Sequence, residues 1–247
     1  MAKPKVGVWS FTGCEGCQVE MLNCPEIMDL LDKVKVMRFP ILEERDEKGK
    51  YDICFVEGAI TTKEEEEKLK DVRKRTNFLV ALGTCATYGG IPSIKNFLDE
   101  KKVEKTVYRN TSYLHSEKAE PLEKFIKVDY NMRGCPPDKD EFVRVFKDLL
   151  LEKKPKEPDF PVCVECRKKE NPCLLEQGHF CLGPVTHGGC DAVCPSNEVM
   201  CHGCRGPLKD ANIKREIEIF EKKGATSEDL KRILIKFAGE KFRTCDL

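Results

Sequence analysis

The chain has 247 residues, and its 43 basic residues are balanced by 43 acidic ones, which gives no reason to expect nucleic acid or an anionic membrane as a partner. No stretch approaches the roughly 20 apolar residues of a membrane span, and the N-terminus lacks the apolar block of a signal peptide, so we expect a cytoplasmic protein. Because the cytoplasm keeps thiols reduced, the fifteen cysteines indicate metal ligands rather than disulfides.

The first part of the chain alternates apolar β-branched runs with amphipathic segments, a pattern typical of a parallel sheet with helical crossovers. The predicted strands are residues 5–11, 34–40, 51–60, 77–86 and 125–135. The predicted helices are residues 17–32, 62–75 and 138–152. Thr61 or Thr62 is the expected N-cap of the second helix, and Asp138 and Glu141 have capping-box spacing in the third. We therefore predict a doubly wound, flavodoxin-like α/β domain over residues 1–152.

The second part of the chain begins with a linker at residues 152–161, which is rich in proline and charge. Residues 163–204 then contain eight cysteines and five glycines with almost no periodic apolar pattern. Such a segment has too little apolar content to fold on a hydrophobic core alone, so we predict that it folds around metal. Two amphipathic helices are predicted after it, at 208–224 and 226–242, which completes a second domain over residues 153–247.

Four cysteines of the first domain fall at the carboxyl ends of predicted parallel strands, the edge where open α/β sheets bind ligands. Cys14 and Cys17 follow the first strand, whereas Cys85 and Cys135 end the fourth and the fifth. Four thiolates at one edge suit an iron–sulfur cluster, and a ligand followed by proline also occurs in ferredoxin-type sites. Nearby glycines would let backbone N–H groups reach the cluster sulfurs; they are Gly13, Gly16, Gly83, Gly89, Gly90 and Gly134.

Other interpretations of these thiols remain open on spacing alone. Cys14 and Cys17 have the spacing of a thioredoxin-like redox pair, although that leaves Cys85 and Cys135 unexplained. A structural zinc site would use the same four thiols. A flavin phosphate loop is a further alternative, but the segment lacks the Ser and Thr hydroxyls that such a loop needs. The remaining cysteines are interpreted as buried small side chains or left unassigned: Cys24, Cys54 and Cys245.

The second domain carries enough cysteines for two sites with four ligands each. They are Cys163, Cys166, Cys173, Cys181, Cys190, Cys194, Cys201 and Cys204. Their spacing fits zinc and iron–sulfur clusters equally well. Twelve thiols would make three centres with four ligands each, and three centres in one small chain favour iron and electron transfer. The histidines are interpreted as surface side chains or neighbours of the ligands: His115, His179, His187 and His202. Three glutamates near the strand ends are interpreted as ordinary polar residues or as proton carriers: Glu15, Glu20 and Glu57.

Six ordered motifs resemble the small subunit of nickel–iron hydrogenases over about residues 5–205. In the first domain these are TGCEGCQVEML, VEGAI, ALGTCATYGGIP and GCPP. In the second they are CLGPVTHGGC and CHGC. The resemblance implies a proximal cluster on Cys14, Cys17, Cys85 and Cys135. It implies a distal cluster on Cys163, Cys166, Cys173 and Cys181, and a medial cluster on Cys190, Cys194, Cys201 and Cys204.

Two departures from the periplasmic members of that family imply three 4Fe-4S clusters. Cys163 stands where those proteins have a histidine, and Cys194 adds a fourth medial ligand. With the short C-terminal tail and no twin-arginine leader, the resemblance points to the cytoplasmic branch, most closely to archaeal sulfhydrogenase small subunits. It implies an electron-transfer subunit of an oxidoreductase with no catalytic acid or base of its own. The implied partners are a nickel–iron large subunit and diaphorase-type or other iron–sulfur subunits that act with NADP(H) or sulfur.

Two other functions are considered beside this one. A cluster subunit of a complex I relative shares the first half of the fold, but that family uses adjacent cysteines where this chain has Cys14 and Cys17 separated by two residues, and it lacks the second cysteine-rich half. A zinc-binding interaction module would contain the same thiols without redox chemistry.

Overall fold

The computed structural model describes residues 2–46, 49–114 and 117–242. The chain divides into two compact units, Met1–Pro155 and Lys156–Leu247. The interpretations of His115 and Cys245 fall on residues outside the described ranges.

Within the described residues, the first unit contains one six-stranded sheet with the strand order β3-β2-β1-β4-β5-β6. The strands are β1 (Lys5–Ser10), β2 (Lys35–Phe39), β3 (Glu43–Asp46), β4 (Tyr51–Glu57), β5 (Thr76–Leu82) and β6 (Tyr130–Met132). All pairs are parallel except the one between β2 and the edge strand β3. The five parallel strands have the flavodoxin-like order 2-1-3-4-5 when they are counted in chain order. The predicted fold class is confirmed.

Six α-helices accompany this sheet in the described part of the first unit. They are α1 (Gly16–Leu22), α2 (Ile27–Leu31), α3 (Lys63–Lys74), α4 (Gly83–Tyr88), α5 (Glu100–Val107) and α6 (Lys139–Leu150). Alternate residues of β4 enter separate cores on the two faces of the sheet. Phe55 packs with Phe142 and Phe146 of α6, whereas Val56 lies in the core that includes Leu69 of α3. The sheet is therefore covered on both faces, and its strand ends form the edge that is left for binding.

Several predicted boundaries differ from the structure for local reasons. The predicted helix 17–32 is broken into α1 and α2, because Pro25 cannot continue a helix. The strand predicted at 77–86 ends at Leu82, since Gly83 has a φ of +83°. Only residues 130–132 of the predicted strand 125–135 pair with β5. Both predicted N-caps are confirmed, since Thr62 accepts a hydrogen bond from the Glu65 amide and Asp138 accepts one from the Glu141 amide.

The second unit consists of cysteine-bearing loops and short helices followed by two longer helices. Its α-helices in the described residues are α7 (Val162–Lys168), α8 (Val193–Ser196), α9 (Ile213–Lys222) and α10 (Ser227–Phe242). A small core joins Val162, Leu174 and Ala192 to the cysteines Cys181 and Cys201. The two predicted C-terminal helices are confirmed. None of the helices in the described ranges is long and apolar enough to cross a membrane.

Candidate metal centres

The four predicted proximal thiols converge at the carboxyl edge of the sheet. Cys14, Cys85 and Cys135 line one cavity of about 510 Å³. Cys17 lies near Cys85 and Cys135. Burial raises the pKa of the Cys17 thiol, and the charges of Glu57, Cys85 and Cys135 raise it further. Burial, with the charge of Cys135 next, raises the pKa of Cys85 to about 12. The structure thus brings together residues from three separate strand ends.

Three glycines of this site lie against its thiols. A Cβ atom on Gly83 would lie 2.4 Å from the Cys17 Sγ, and one on Gly90 would lie 2.7 Å from the Cys85 Sγ. A Cβ on Gly16 would lie 3.3 Å from the Cys14 Sγ. Because glycine has no Cβ, the backbone approaches the sulfur atoms more closely here than other residues would permit.

Glu57 forms a buried polar network behind the proximal thiols. It ends β4, is 2% exposed, and accepts hydrogen bonds from the Gln18 Nε2 at 2.6 Å and the Ser10 Oγ at 3.2 Å. Burial raises the pKa of the Glu57 carboxyl, against hydrogen bonds with Gln18 and Cys17 that lower it. The sequence placed Glu57 near the site, but it assigned no role to the fully buried Gln18, whose position next to Cys17 was the available signal.

The four predicted distal thiols line a second cavity of about 510 Å³; they are Cys163, Cys166, Cys173 and Cys181. Cys163 and Cys166 lie one turn apart on α7 and therefore on one face of it. Burial raises the pKa of the Cys163 thiol to about 12, and the charges of Cys181, Cys166 and Cys173 add to this shift. The Asn171 Nδ2 lies 3.7 Å from the Cys166 Sγ as a hydrogen-bond donor.

The four predicted medial thiols also lie close together. Burial raises the pKa of Cys201, and the charges of Cys204, Cys181 and Cys190 raise it further. Burial likewise raises the pKa of the Cys190 thiol, and the charge of Cys194 contributes to this increase. The Cys201 amide donates a hydrogen bond to the Cys181 Sγ at 3.3 Å, so the medial and distal sets are in direct contact.

The remaining cysteines and histidines of the described ranges have other surroundings. The buried Cys24 thiol donates to the carbonyl oxygens of Glu20 and Lys139, and Cys54 is fully buried in β4. His187 is buried with its Nδ1 3.1 Å from the Pro158 carbonyl oxygen. His179 is exposed, His202 is half-buried, and Glu15 is exposed. Cys24 and Cys54 are thus buried small side chains, as predicted from their lack of matching partners.

The shape and chemistry of the thiol sets fit iron–sulfur clusters. Among the described residues, no three His, Cys, Asp or Glu side chains lie close enough together to hold a single metal ion. Three of the proximal thiols and all four distal thiols instead line cavities large enough for a group of several atoms. Zinc binds its four sulfurs at about 2.3 Å and needs no such space. Four thiolates around a cavity, with N–H groups directed at sulfur, are suited to a 4Fe-4S cluster.

Comparison with known proteins places the chain in a family. Residues 14–149 match the family model described as NADH ubiquinone oxidoreductase, 20 Kd subunit. The chain belongs to this family. Among the curated proteins, the chain is similar to the Sulfhydrogenase 2 subunit delta of Pyrococcus furiosus, with 35% identity over 237 residues, or 95% of this chain and 99% of that protein.

Two further family relatives are also hydrogenase subunits. One is a vhu subunit of the F420-non-reducing hydrogenase of Methanocaldococcus jannaschii, which is 35% identical over 82% of this chain and 81% of its own length. A chain of a crystal structure of an NAD⁺-reducing [NiFe]-hydrogenase in the H2-reduced state is 27% identical, with a TM-score of 0.57. That match covers 63% of this chain and 96% of the hydrogenase chain. The resemblance to small subunits of nickel–iron hydrogenases is confirmed.

Proposed function

We propose that this chain is the electron-transfer subunit of a nickel–iron hydrogenase, an oxidoreductase whose nickel–iron centre lies in a separate large subunit. The observation that carries the proposal is that cysteines line two cavities, in a chain whose relatives are hydrogenase subunits. Cys14, Cys85 and Cys135 line the first cavity, and the second is lined by Cys163, Cys166, Cys173 and Cys181. A complex I-like function accounts for the family match over residues 14–149 but gives no role to the eight cysteines of residues 163–204.

Each thiol set is proposed to hold one 4Fe-4S cluster. The proximal cluster, in the domain 1–152, takes Cys14, Cys17, Cys85 and Cys135. The distal cluster, in the domain 153–247, takes Cys163, Cys166, Cys173 and Cys181. The medial cluster, in the same domain, takes Cys190, Cys194, Cys201 and Cys204.

The residues of this chain would hold and tune the clusters rather than transform hydrogen. Bound 4Fe-4S clusters accept and release one electron at a time, so the two electrons from each hydrogen molecule would pass singly through the proximal, medial and distal sites. Burial keeps water from thiols such as Cys181 and Cys201, and donors such as the Cys201 amide stabilise charge on sulfur. Because burial raises the pKa of the Cys85 and Cys163 thiols, these two thiols would release protons on binding cluster irons. No catalytic acid or base is assigned to this chain.

The electron partners are proposed from the relatives. Their names include a sulfhydrogenase, an F420-non-reducing hydrogenase and an NAD⁺-reducing hydrogenase. We propose a diaphorase-type or other iron–sulfur partner in the cytoplasm, with hydrogen oxidation or evolution coupled to NADP(H) or sulfur. The nucleotide would bind that partner, since this chain has no GxGxxG motif.

Replacing Cys85 by serine in the complex purified with the large subunit tests this function. We expect Cys85→Ser to remove or distort the proximal cluster and to abolish hydrogen-dependent dye reduction, because a neutral hydroxyl is a poor substitute for a thiolate ligand. Cys24→Ser is the matched control, since a serine hydroxyl can donate the same hydrogen bond to a carbonyl oxygen and should leave the iron content unchanged. Full activity and iron content in Cys85→Ser would refute the assignment.

A further inference from the structure

A buried arginine packs against the loop that leads into Cys190. Arg205 is 1% exposed, and its Nε donates a hydrogen bond to the Gly188 carbonyl oxygen at 2.6 Å. A Cβ atom on Gly189 would lie 2.7 Å from the Arg205 Nη2, so the guanidinium is in close contact with the loop. Since arginine stays protonated at any working pH, a permanent positive charge lies beside the medial thiols.

A glutamate reaches the same loop from the distal site. Glu165 lies on α7 between Cys163 and Cys166, and its Oε1 accepts a hydrogen bond from the Gly189 amide at 2.8 Å. Its Oε2 accepts a second, longer bond of 3.3 Å from the Ala192 amide. The carboxylate therefore holds the backbone on both sides of Cys190.

Two opposite charges lie against the loop that carries Cys190. The Arg205 guanidinium contacts the backbone of Gly188 and Gly189, and the Glu165 carboxylate accepts hydrogen bonds from the amides of Gly189 and Ala192. An anionic group bound through the Cys190 sulfur would sense both charges, because a low-dielectric interior screens charges weakly.

We propose that Arg205 and Glu165 are positioning residues that set the reduction potential of the medial cluster in opposite directions. This inference rests on the proposed function. A 4Fe-4S cluster with four thiolate ligands is an anion, and its reduction by one electron adds a further negative charge. The Arg205 cation stabilises the reduced form and raises the potential, whereas the Glu165 anion destabilises it and lowers the potential.

A redox titration followed by electron paramagnetic resonance, on the complex purified with its large subunit, tests the inference. The medial signal is identified as the one that changes in a Cys190→Ser variant. Arg205→Gln should make reduction of this cluster at least tenfold less favourable, a shift of about 59 mV to more negative potential for one electron. Glu165→Gln should shift the same midpoint to more positive potential.

Two variants separate the effect of charge from a loss of structure. Arg205→Lys keeps the positive charge and should keep the midpoint near that of the unaltered protein. Arg215→Gln removes an exposed arginine, paired with Glu218, from the same unit and should not shift the medial midpoint. If the Arg205→Gln variant does not bind iron, the medial midpoint of Glu165→Gln alone tests the inference.

The outcomes that overturn this inference differ from those that overturn the proposed function. An unmoved medial midpoint in Glu165→Gln, or shifts of the same sign in Glu165→Gln and Arg205→Gln, would overturn the role of the charge pair while three clusters remain. A complex without 4Fe-4S signals in the unaltered protein would overturn the proposed function itself.

Discussion

Some positions near the proximal thiols need glycine for two reasons: the backbone has a positive φ, and a Cβ atom would collide with a cysteine sulfur. Gly83 has a φ of +83°, and its missing Cβ would lie 2.4 Å from the Cys17 Sγ. Gly224 has a similar φ of +88°, but nothing lies within 4 Å of its missing Cβ. Alanine at either position would strain a left-handed backbone, but only alanine at Gly83 would also collide with a cysteine sulfur.

Gly83→Ala is expected to displace the Cys17 thiol and so to lower the iron bound per chain by about a third, the share of one cluster in three. Gly224→Ala should lose only about 1 kcal/mol of stability and keep its iron, because its cost is backbone strain alone. Iron analysis and urea unfolding of both variants give the two quantities. Equal iron contents in the two variants would show that the space beside Cys17 is not required.

Among single residues, the sequence predicted that the proximal cysteines lie near one another, but it did not predict the charged residues that contact the cysteine-bearing loops. Strand ends and ordered motifs placed the four proximal cysteines together, as the structure does. Glu165 could not be assigned in this way, because its hydrogen bond reaches an amide 24 residues away through a loop without periodicity. The burial of Arg205 could not be predicted from the sequence either, since this residue directly follows Cys204 in a loop and is buried only through the way the loop folds.

Helix α9 carries a glutamate on its buried face. Glu216 lies among Ile213, Ile217 and Phe220, and its Oε1 has no hydrogen-bond partner in the described part of the chain. Burial raises the pKa of its carboxyl from 4.5 to about 7. Between these values the folded protein keeps a proton that the unfolded chain has released, so the free energy of unfolding falls as the pH rises.

Glu216→Gln is therefore expected to stabilise the protein at about pH 8 by up to roughly 3 kcal/mol, because the amide carries no charge to bury. The difference should shrink as the pH falls through 7 and disappear near the unfolded pKa of 4.5. Urea midpoints measured across this range provide the test. Glu218→Gln, on the exposed face of the same helix, is the control and should show no such gain. A pH-independent effect of Glu216→Gln would contradict the buried-charge explanation.

At the element scale, periodicity predicted the helices and parallel strands better than their ends. The five parallel strands and both C-terminal helices followed from apolar pattern and capping residues, whereas the strand order was predicted only as part of a flavodoxin-like fold. The predicted helix 17–32 ran through Pro25, whereas the structure has a break there before α2. The edge strand β3 was not predicted, because its residues, Glu43–Asp46, are all charged. An edge strand that pairs on one side only is not marked by a buried apolar face.

The two units would divide the work of the whole molecule. The first unit carries the match to the NADH ubiquinone oxidoreductase 20 Kd subunit family, and Cys14, Cys85 and Cys135 meet at the ends of its parallel strands. In the second unit, a small core around Val162, Leu174 and Ala192 includes the cysteines Cys181 and Cys201, which are joined by a hydrogen bond from the Cys201 amide to the Cys181 Sγ. Metal binding is accordingly expected to supply much of the folding free energy of the second unit.

The most direct test of the account is the amount of iron and acid-labile sulfide bound per chain in the protein purified with its partners. Three 4Fe-4S clusters in this chain predict a brown complex with at least about twelve iron atoms and about twelve sulfide ions for each copy of this chain, to which the metal centres of the partners add their own. Nickel should accompany the large subunit. A colourless protein that contains zinc and no acid-labile sulfide would contradict the central claim.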